Sequence, residues 1–309
     1  MPSVLWRLGT IARATCPVTV VEVGDAIYAL AEALDAAGVR ARGAGLGVRE
    51  ILDHWDAWQP VLGGLARDGI ATAAIARDRI EWLPAVPEPR KILCVGINYR
   101  DHLFEKGGGN VQLERPFAFV KPQSTLLGHE RTLVLPPRAR KVDWEGELAV
   151  VIGRRAKDVR RDDALGVVAG YCPFNDISAR DWNDQPVPGV GMDFILHKSF
   201  DGFGPLGPLI TPSEFVRDPQ DLALRLTVNG KVKQDSTTAQ MVFGVRELIA
   251  HLSSVMTLLP GDVIATGSPS GTGHSRGEYL ADGDRVVLSI ADLGELETRV
   301  RRAPHDHSI

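Results

Sequence analysis

Asp143-Trp144-Glu145-Gly146-Glu147 runs directly into the apolar stretch Leu148-Ala149-Val150-Val151-Ile152. If this is a strand, Glu145 and Glu147 project from the same face, because strand side chains alternate. Two carboxylates about 4 Å apart repel by about 4 kcal/mol at an effective dielectric of ~20. Solvent at a strand end would offset that; so would basic partners, a shared proton or a cation. A third acid, in Asn175-Asp176, closes another apolar segment, Val167 to Phe174, where an unpaired buried carboxylate is costly. If the three acids converge, they form an all-oxygen site suited to Mg²⁺, with Mn²⁺ or Ca²⁺ as alternatives, and not to zinc.

A second candidate is His102-Leu103-Phe104-Glu105. On a helical turn, residues i and i+3 share a face, so Glu105 can fix the His102 tautomer and support it as a general base. Taken alone, the same spacing is more often a surface pair on a short helix. Lys106-Gly107-Gly108-Gly109-Asn110 follows, a mobile lid or a plain loop. A third candidate is Lys198 in Leu196-His197-Lys198-Ser199-Phe200, which can stabilise an oxyanion or snorkel to solvent. The segment from Gly261 to Gly273 has hydroxyls and backbone N–H groups suited to a carboxylate. It lacks the residue order of a phosphate loop or a nucleophile elbow, and Gly43-Ala44-Gly45-Leu46-Gly47 lacks dinucleotide spacing.

The elements that must hold these residues are mostly short strands after residue 90: 118–120, 148–152, 166–171 and 285–290. Leu222 to Val228, Asn229-Gly230 and Lys231 to Lys233 spell a hairpin. One helix is expected from Val245 to about Leu259, stopped by Pro260-Gly261. Before residue 90 the pattern gives a strand at 18–23, helices at 26–37 and 48–65, and a short strand at 80–83. Pro84, Pro87 and Pro89 then mark a linker. The division expected is a small N-terminal α/β domain, 1–88, and a β-rich α+β domain, 89–309.

The whole chain has 309 residues, 44% hydrophobic and 24% charged, with net charge −4. Such a balance excludes wholesale disorder and offers no general field for nucleic acid or anionic lipid. No run reaches the ~20 apolar residues of a membrane span. Cys16, Cys94 and Cys172 are odd in number and widely spaced, so buried thiols in a reducing, cytoplasmic setting are expected. The tail, with His305-Asp306-His307, reads as a solvated end rather than a metal site.

VGINYRDHLFE, DWEGELAVVIG, FNDISARDW, HKSF and PGDVIATGSPSG, in that order over residues 90 to 302, resemble the fumarylacetoacetate hydrolase family. The resemblance implies a mixed β-sandwich or roll, usually dimeric, so a homodimer is expected. It implies metal ligation by Glu145, Glu147 and Asp176, usually of Mg²⁺, a His102–Glu105 dyad on a lid, and Lys198 over the substrate. Arg180 and Thr266 fall where the family meets substrate oxygens, and Asn183 stands near a position where many members carry glutamine, with Gln185 close by. The activity implied is metal-dependent C–C hydrolysis of a 1,3-dicarbonyl acid such as an acylpyruvate, through an enolate. Decarboxylation, tautomerisation or dehydration of a sugar-derived keto acid are alternatives on the same site, and a metabolite-binding protein is the non-enzymatic one.

Overall fold

The computed structural model describes residues 4–14, 16–39, 46–105, 112–183, 191 and 193–304. Its centre is a large mixed sheet of ten strands. The strand Gly146–Ile152 lies in its middle, antiparallel to Val168–Asn175 on one side and to Val263–Ala265 on the other. Ile92–Gly96 runs parallel to Val263–Ala265, and Phe117–Lys121 closes that edge antiparallel to Ile92–Gly96. Gly146–Ile152 is buried along its whole length, as expected of a strand covered on both faces.

Alternation divides that strand between two cores. Leu148, Val150 and Ile152 pack with Leu224, Leu226, Val286 and Leu288 of a five-stranded sheet. Ala149 and Val151 face the opposite way, into a core shared with Trp6, Leu34, Ile51, Trp55 and Leu62. That second core is covered by the helices Leu30–Ala36, Val48–Asp53 and Trp55–Asp68. The N-terminal strand Trp6–Arg13 joins the large sheet by pairing with Leu209–Pro212. Gly9 permits the join, since a Cβ there would come within 2.4 Å of the Pro208 carbonyl oxygen.

Several expected elements differ in extent. Ala26–Ala29 is a strand and only Leu30–Ala36 is helical, because Gly24-Asp25 turns the chain back to pair Ala26 with Val23. The helix expected over 48–65 is broken at His54. The strand expected at 166–171 is instead Val168–Asn175, preceded by the 3-10 turns Arg161–Val167. The late helix ends at Val255, since Leu258 is drawn into a bridge with Ala156. Cys94 and Cys172 are buried as expected, whereas Cys16 is exposed. Asn229-Gly230 is the expected turn, both residues in the left-handed region with φ of +52° and +74°, joining Ala223–Val228 to Lys231–Thr237. The glycine-rich segment 106–110, Gln185, the Gly43-Ala44-Gly45 run and the tail from His305 lie outside the described residues.

Candidate metal centre and active site

The antiparallel register brings the acids together. Gly146 pairs with Asn175, and the next backbone bond joins Asp176 N–H to the Glu145 carbonyl at 2.9 Å. Glu145 and Asp176 are thus cross-strand neighbours, and Glu147 lies two residues along on the same face as Glu145. One oxygen from each of the three lies within 4.8 Å of the others. Gly146, on the other face, meets the small sheet, where its N–H donates to Gln234 Oε1 at 2.8 Å.

Among the described residues, three cations contact this group. Lys198 Nζ donates to Glu145 Oε2 and to Asp176 Oδ2, each at 2.6 Å. Arg180 donates through Nε to Asp143 Oδ2 at 2.9 Å and through Nη2 to Glu145. Lys121, buried, donates to the remaining oxygen of Asp176 and to the Ile177 carbonyl. Among the described residues, Glu147 receives only a backbone bond, from Gly267 N–H at 2.8 Å. That N–H is aimed by a φ of +96° at Gly267, and a Cβ there would meet Asn98 Cβ at 2.8 Å.

The charges follow from this geometry. Burial alone would raise Glu145, but Arg180 and Lys198 outweigh it and hold its carboxyl well below the usual range. Glu147 is pushed well above that range by burial and by the neighbouring Asp176 and Glu145. Burial would lower Lys198, yet Asp176 and Glu145 keep its ammonium charged far into alkali. His197 is driven the other way, down to about 4, chiefly by burial.

A divalent cation fits this donor set. A hard ion ligated at ~2.0–2.6 Å accommodates oxygens up to about twice that distance apart, which matches the observed spread. The donors are all carboxylate, and Glu147 is the member of the trio with no cationic side chain bonded to it among the described residues. Glu145, Glu147 and Asp176 would hold the ion.

Beside the acids lies a cavity of about 90 Å³, lined by all three together with His102, Arg180, Asn183, His197, Lys198 and Ser268. The apolar side chains Val95, Ile97, Phe119 and Phe194 also line it, and Lys198 Nζ stands 5.6 Å from the centre of the Phe119 ring. His102 is on the short helix Arg100–Glu105, and its Nδ1 lies 3.2 Å from Glu105 Oε2. Glu105 is itself held by Gly271 N–H, and Asp101 accepts from Ser236 Oγ at 2.6 Å. The imidazole therefore has a fixed orientation and a carboxylate behind it, as a proton-transfer base needs.

Of the residues singled out from sequence, Glu145, Glu147, Asp176, Arg180, Asn183, His102 and Lys198 line the cavity, with Glu105 behind His102. Thr266 is buried and its hydroxyl donates to the Leu148 carbonyl at 2.9 Å; Ser268, two residues on, lines the cavity instead. Lys198 lies between two acids of the trio. Two contributors went unread, Lys121 and Asp143. Phe117, Phe119 and Lys121 alternate along one strand, and that spacing was the available signal for Lys121.

The fumarylacetoacetate (FAA) hydrolase C-terminal family model matches residues 91–301. The mitochondrial oxaloacetate tautomerase FAHD2A of Homo sapiens is 42% identical over 229 residues, covering 73% of this chain and 71% of the human one. A maleylpyruvate hydrolase from Sphingobium sp. SYK-6, solved with manganese(II) and pyruvate, is 30% identical with a TM-score of 0.77, over 96% of this chain and 100% of that one. A 5-carboxymethyl-2-hydroxymuconate delta-isomerase from Mycobacterium smegmatis is 31% identical with a TM-score of 0.70, over 97% of this chain and 100% of that one. With the acid trio, the braced histidine and these likenesses together, the chain belongs to the fumarylacetoacetate hydrolase family.

Proposed function

We propose that this protein interconverts the keto and enol forms of oxaloacetate or a close 2-keto dicarboxylic acid, with a divalent ion, Mg²⁺ or Mn²⁺, held by Glu145, Glu147 and Asp176. The observation that carries this reading is a braced base and an oxygen trio lining one small cavity. The human relative's name supplies the substrate. A cavity of about 90 Å³ is small beside the ~300–1,000 Å³ of drug-sized sites, which favours a compact acid.

When bound, the ion supplies Lewis-acid stabilisation of enolate charge. The remaining work belongs to the chain. Arg180, Asn183 and Ser268 offer donors for carboxylate oxygens. His102, oriented through Nδ1 by Glu105, takes a proton at Nε2 from the carbon between the two carbonyl carbons and delivers it to the keto oxygen, which gives the enol; the reverse transfers restore the keto form. Lys198, held charged by Asp176 and Glu145, opposes negative charge on the keto oxygen without giving up its proton.

C–C hydrolysis is the second reading, favoured by the maleylpyruvate hydrolase likeness. There His102 would take a proton from water, the hydroxide would attack the distal carbonyl of an acylpyruvate, and the enolate leaving group would be reprotonated to pyruvate. Incubation with oxaloacetate and with acylpyruvates in Mg²⁺ separates the two. Tautomerisation changes the enol absorbance of oxaloacetate without release of pyruvate, whereas hydrolysis yields pyruvate and a second acid.

A homodimer belongs to the same proposal, since Phe104, Phe117 and Val120 are exposed apolar side chains, and light scattering would test it. Residues 1–88 are proposed as the small domain whose helices shield the face of the sheet beyond the acids. Buried Cys94 and Cys172 fit a reducing compartment, cytoplasmic or, as the human relative's name has it for that protein, mitochondrial.

A further inference from the structure

Ile97 leaves the strand Ile92–Gly96 at the cavity with a φ of +54°. β-Branched side chains avoid this region because Cβ and its substituents crowd the backbone. The neighbours on both sides impose it. Asn98 is buried, donates to the Thr266 carbonyl at 2.8 Å and the Phe243 carbonyl at 3.0 Å, and accepts from Phe243 N–H at 2.9 Å. Gly96 is pinned in register with Phe117, and a Cβ there would come within 2.9 Å of the Phe117 ring.

Packing gives little return for this strain, since Ile97 is 40% exposed. Glycine would suit the backbone better, and a polar residue would suit the exposure better. What isoleucine adds is a branched apolar surface in the lining of the cavity, which also includes Phe119 and Phe194. Strained residues that persist at a ligand cavity point to a role there.

We propose that Ile97 is a specificity-determining residue whose side chain takes up room in the cavity, so that keto acids with a short distal group are preferred over acylpyruvates with longer chains. This rests on the keto-acid reading above and deepens it. Loss or gain of a methylene-sized space in a pocket changes selectivity by about 10–200-fold.

The test is Ile97→Gly, read in three ways. The ratio of kcat/KM for a long-chain acylpyruvate to that for oxaloacetate is expected to rise about 10-fold or more. Calorimetry in Mg²⁺ with two unreactive probes, 2-oxooctanoate and oxalate, is expected to show the same rise in their affinity ratio. The melting temperature is expected at or above the parent's, because glycine adopts positive φ without steric cost. An unchanged affinity ratio, or a lower melting temperature with loss of oxalate binding, overturns the proposal and makes Ile97 structural. If the affinity ratio shifts while neither protein turns over any keto acid, the reading of the function fails and the role of Ile97 stands.

Discussion

Asp176 N–H donates to the Glu145 carbonyl at 2.9 Å, so these two acids, thirty-one positions apart in the sequence, are direct neighbours across a pair of central strands. The carboxylates gather because the hairpin register ends there, and a slip of one residue would turn Glu145 and Glu147 to the opposite face. Lys121, Lys198 and Arg180 then make the repulsion tolerable. Breaking a buried pair by removing one partner costs about 3–5 kcal/mol, because a charge is left uncompensated.

Lys121→Met is therefore expected to lower the melting temperature of the metal-free protein sharply. Saturating Mg²⁺ should recover more stability in this variant than in the parent, since the ion restores positive charge beside Asp176. Thermal denaturation with and without Mg²⁺ checks this, and an equal or smaller Mg²⁺ effect in the variant would argue against it. Lys198→Met should behave similarly. From the sequence, Lys198 is expected over the substrate; its place between Glu145 and Asp176 gives it a share in stability as well.

His102→Asn should keep divalent-ion affinity and lose turnover by about 10²–10⁴-fold, the usual contribution of a positioned base. Glu105→Gln should lose less, because the imidazole remains and only its orientation and basicity suffer. Steady-state kinetics and calorimetry on the same preparations separate the two effects. Full activity in His102→Asn would remove this residue from the mechanism.

His197 gives a pH prediction. Its folded value is about 4 against 6.5 for the free side chain, chiefly through burial. Between those values the unfolded chain binds a proton that the folded chain refuses. Stability from this group is complete above about 6.5 and is lost as pH falls toward 4. His197→Gln should flatten the melting temperature against pH across that window. An unchanged slope would show that the burial of His197 is not the cause.

Much of this arrangement is legible in the residues. Asn229-Gly230 marks its hairpin because the turn needs two left-handed residues, and both are so. The acid trio and the His102–Glu105 pair are readable as types and spacings, whereas their convergence depends on register between strands far apart in the chain. Local pattern misleads where a tertiary partner intervenes. Ala26 to Ala29 has a helical composition, yet pairing with Val20 to Val23 makes it a strand. Thr266 shows its hydroxyl in the sequence, whereas the bond that hydroxyl makes to the Leu148 carbonyl depends on the strand pairing. Lys121 is hidden for a related reason: a lysine at the end of an edge strand reads as a solvated residue until Asp176 is placed beside it.

The central claim is that Glu145, Glu147 and Asp176 hold one divalent ion. The most direct measurement is calorimetric titration of Mg²⁺ and Mn²⁺ into the parent protein and into Glu147→Gln, which keeps the shape of the side chain and removes its charge. One ion bound per parent chain, with affinity at least about 100-fold weaker in the variant, is the expected result, since even an outer-shell partner is worth 10–100-fold. A parent that binds no divalent ion, or a variant that binds it equally well, would contradict the account.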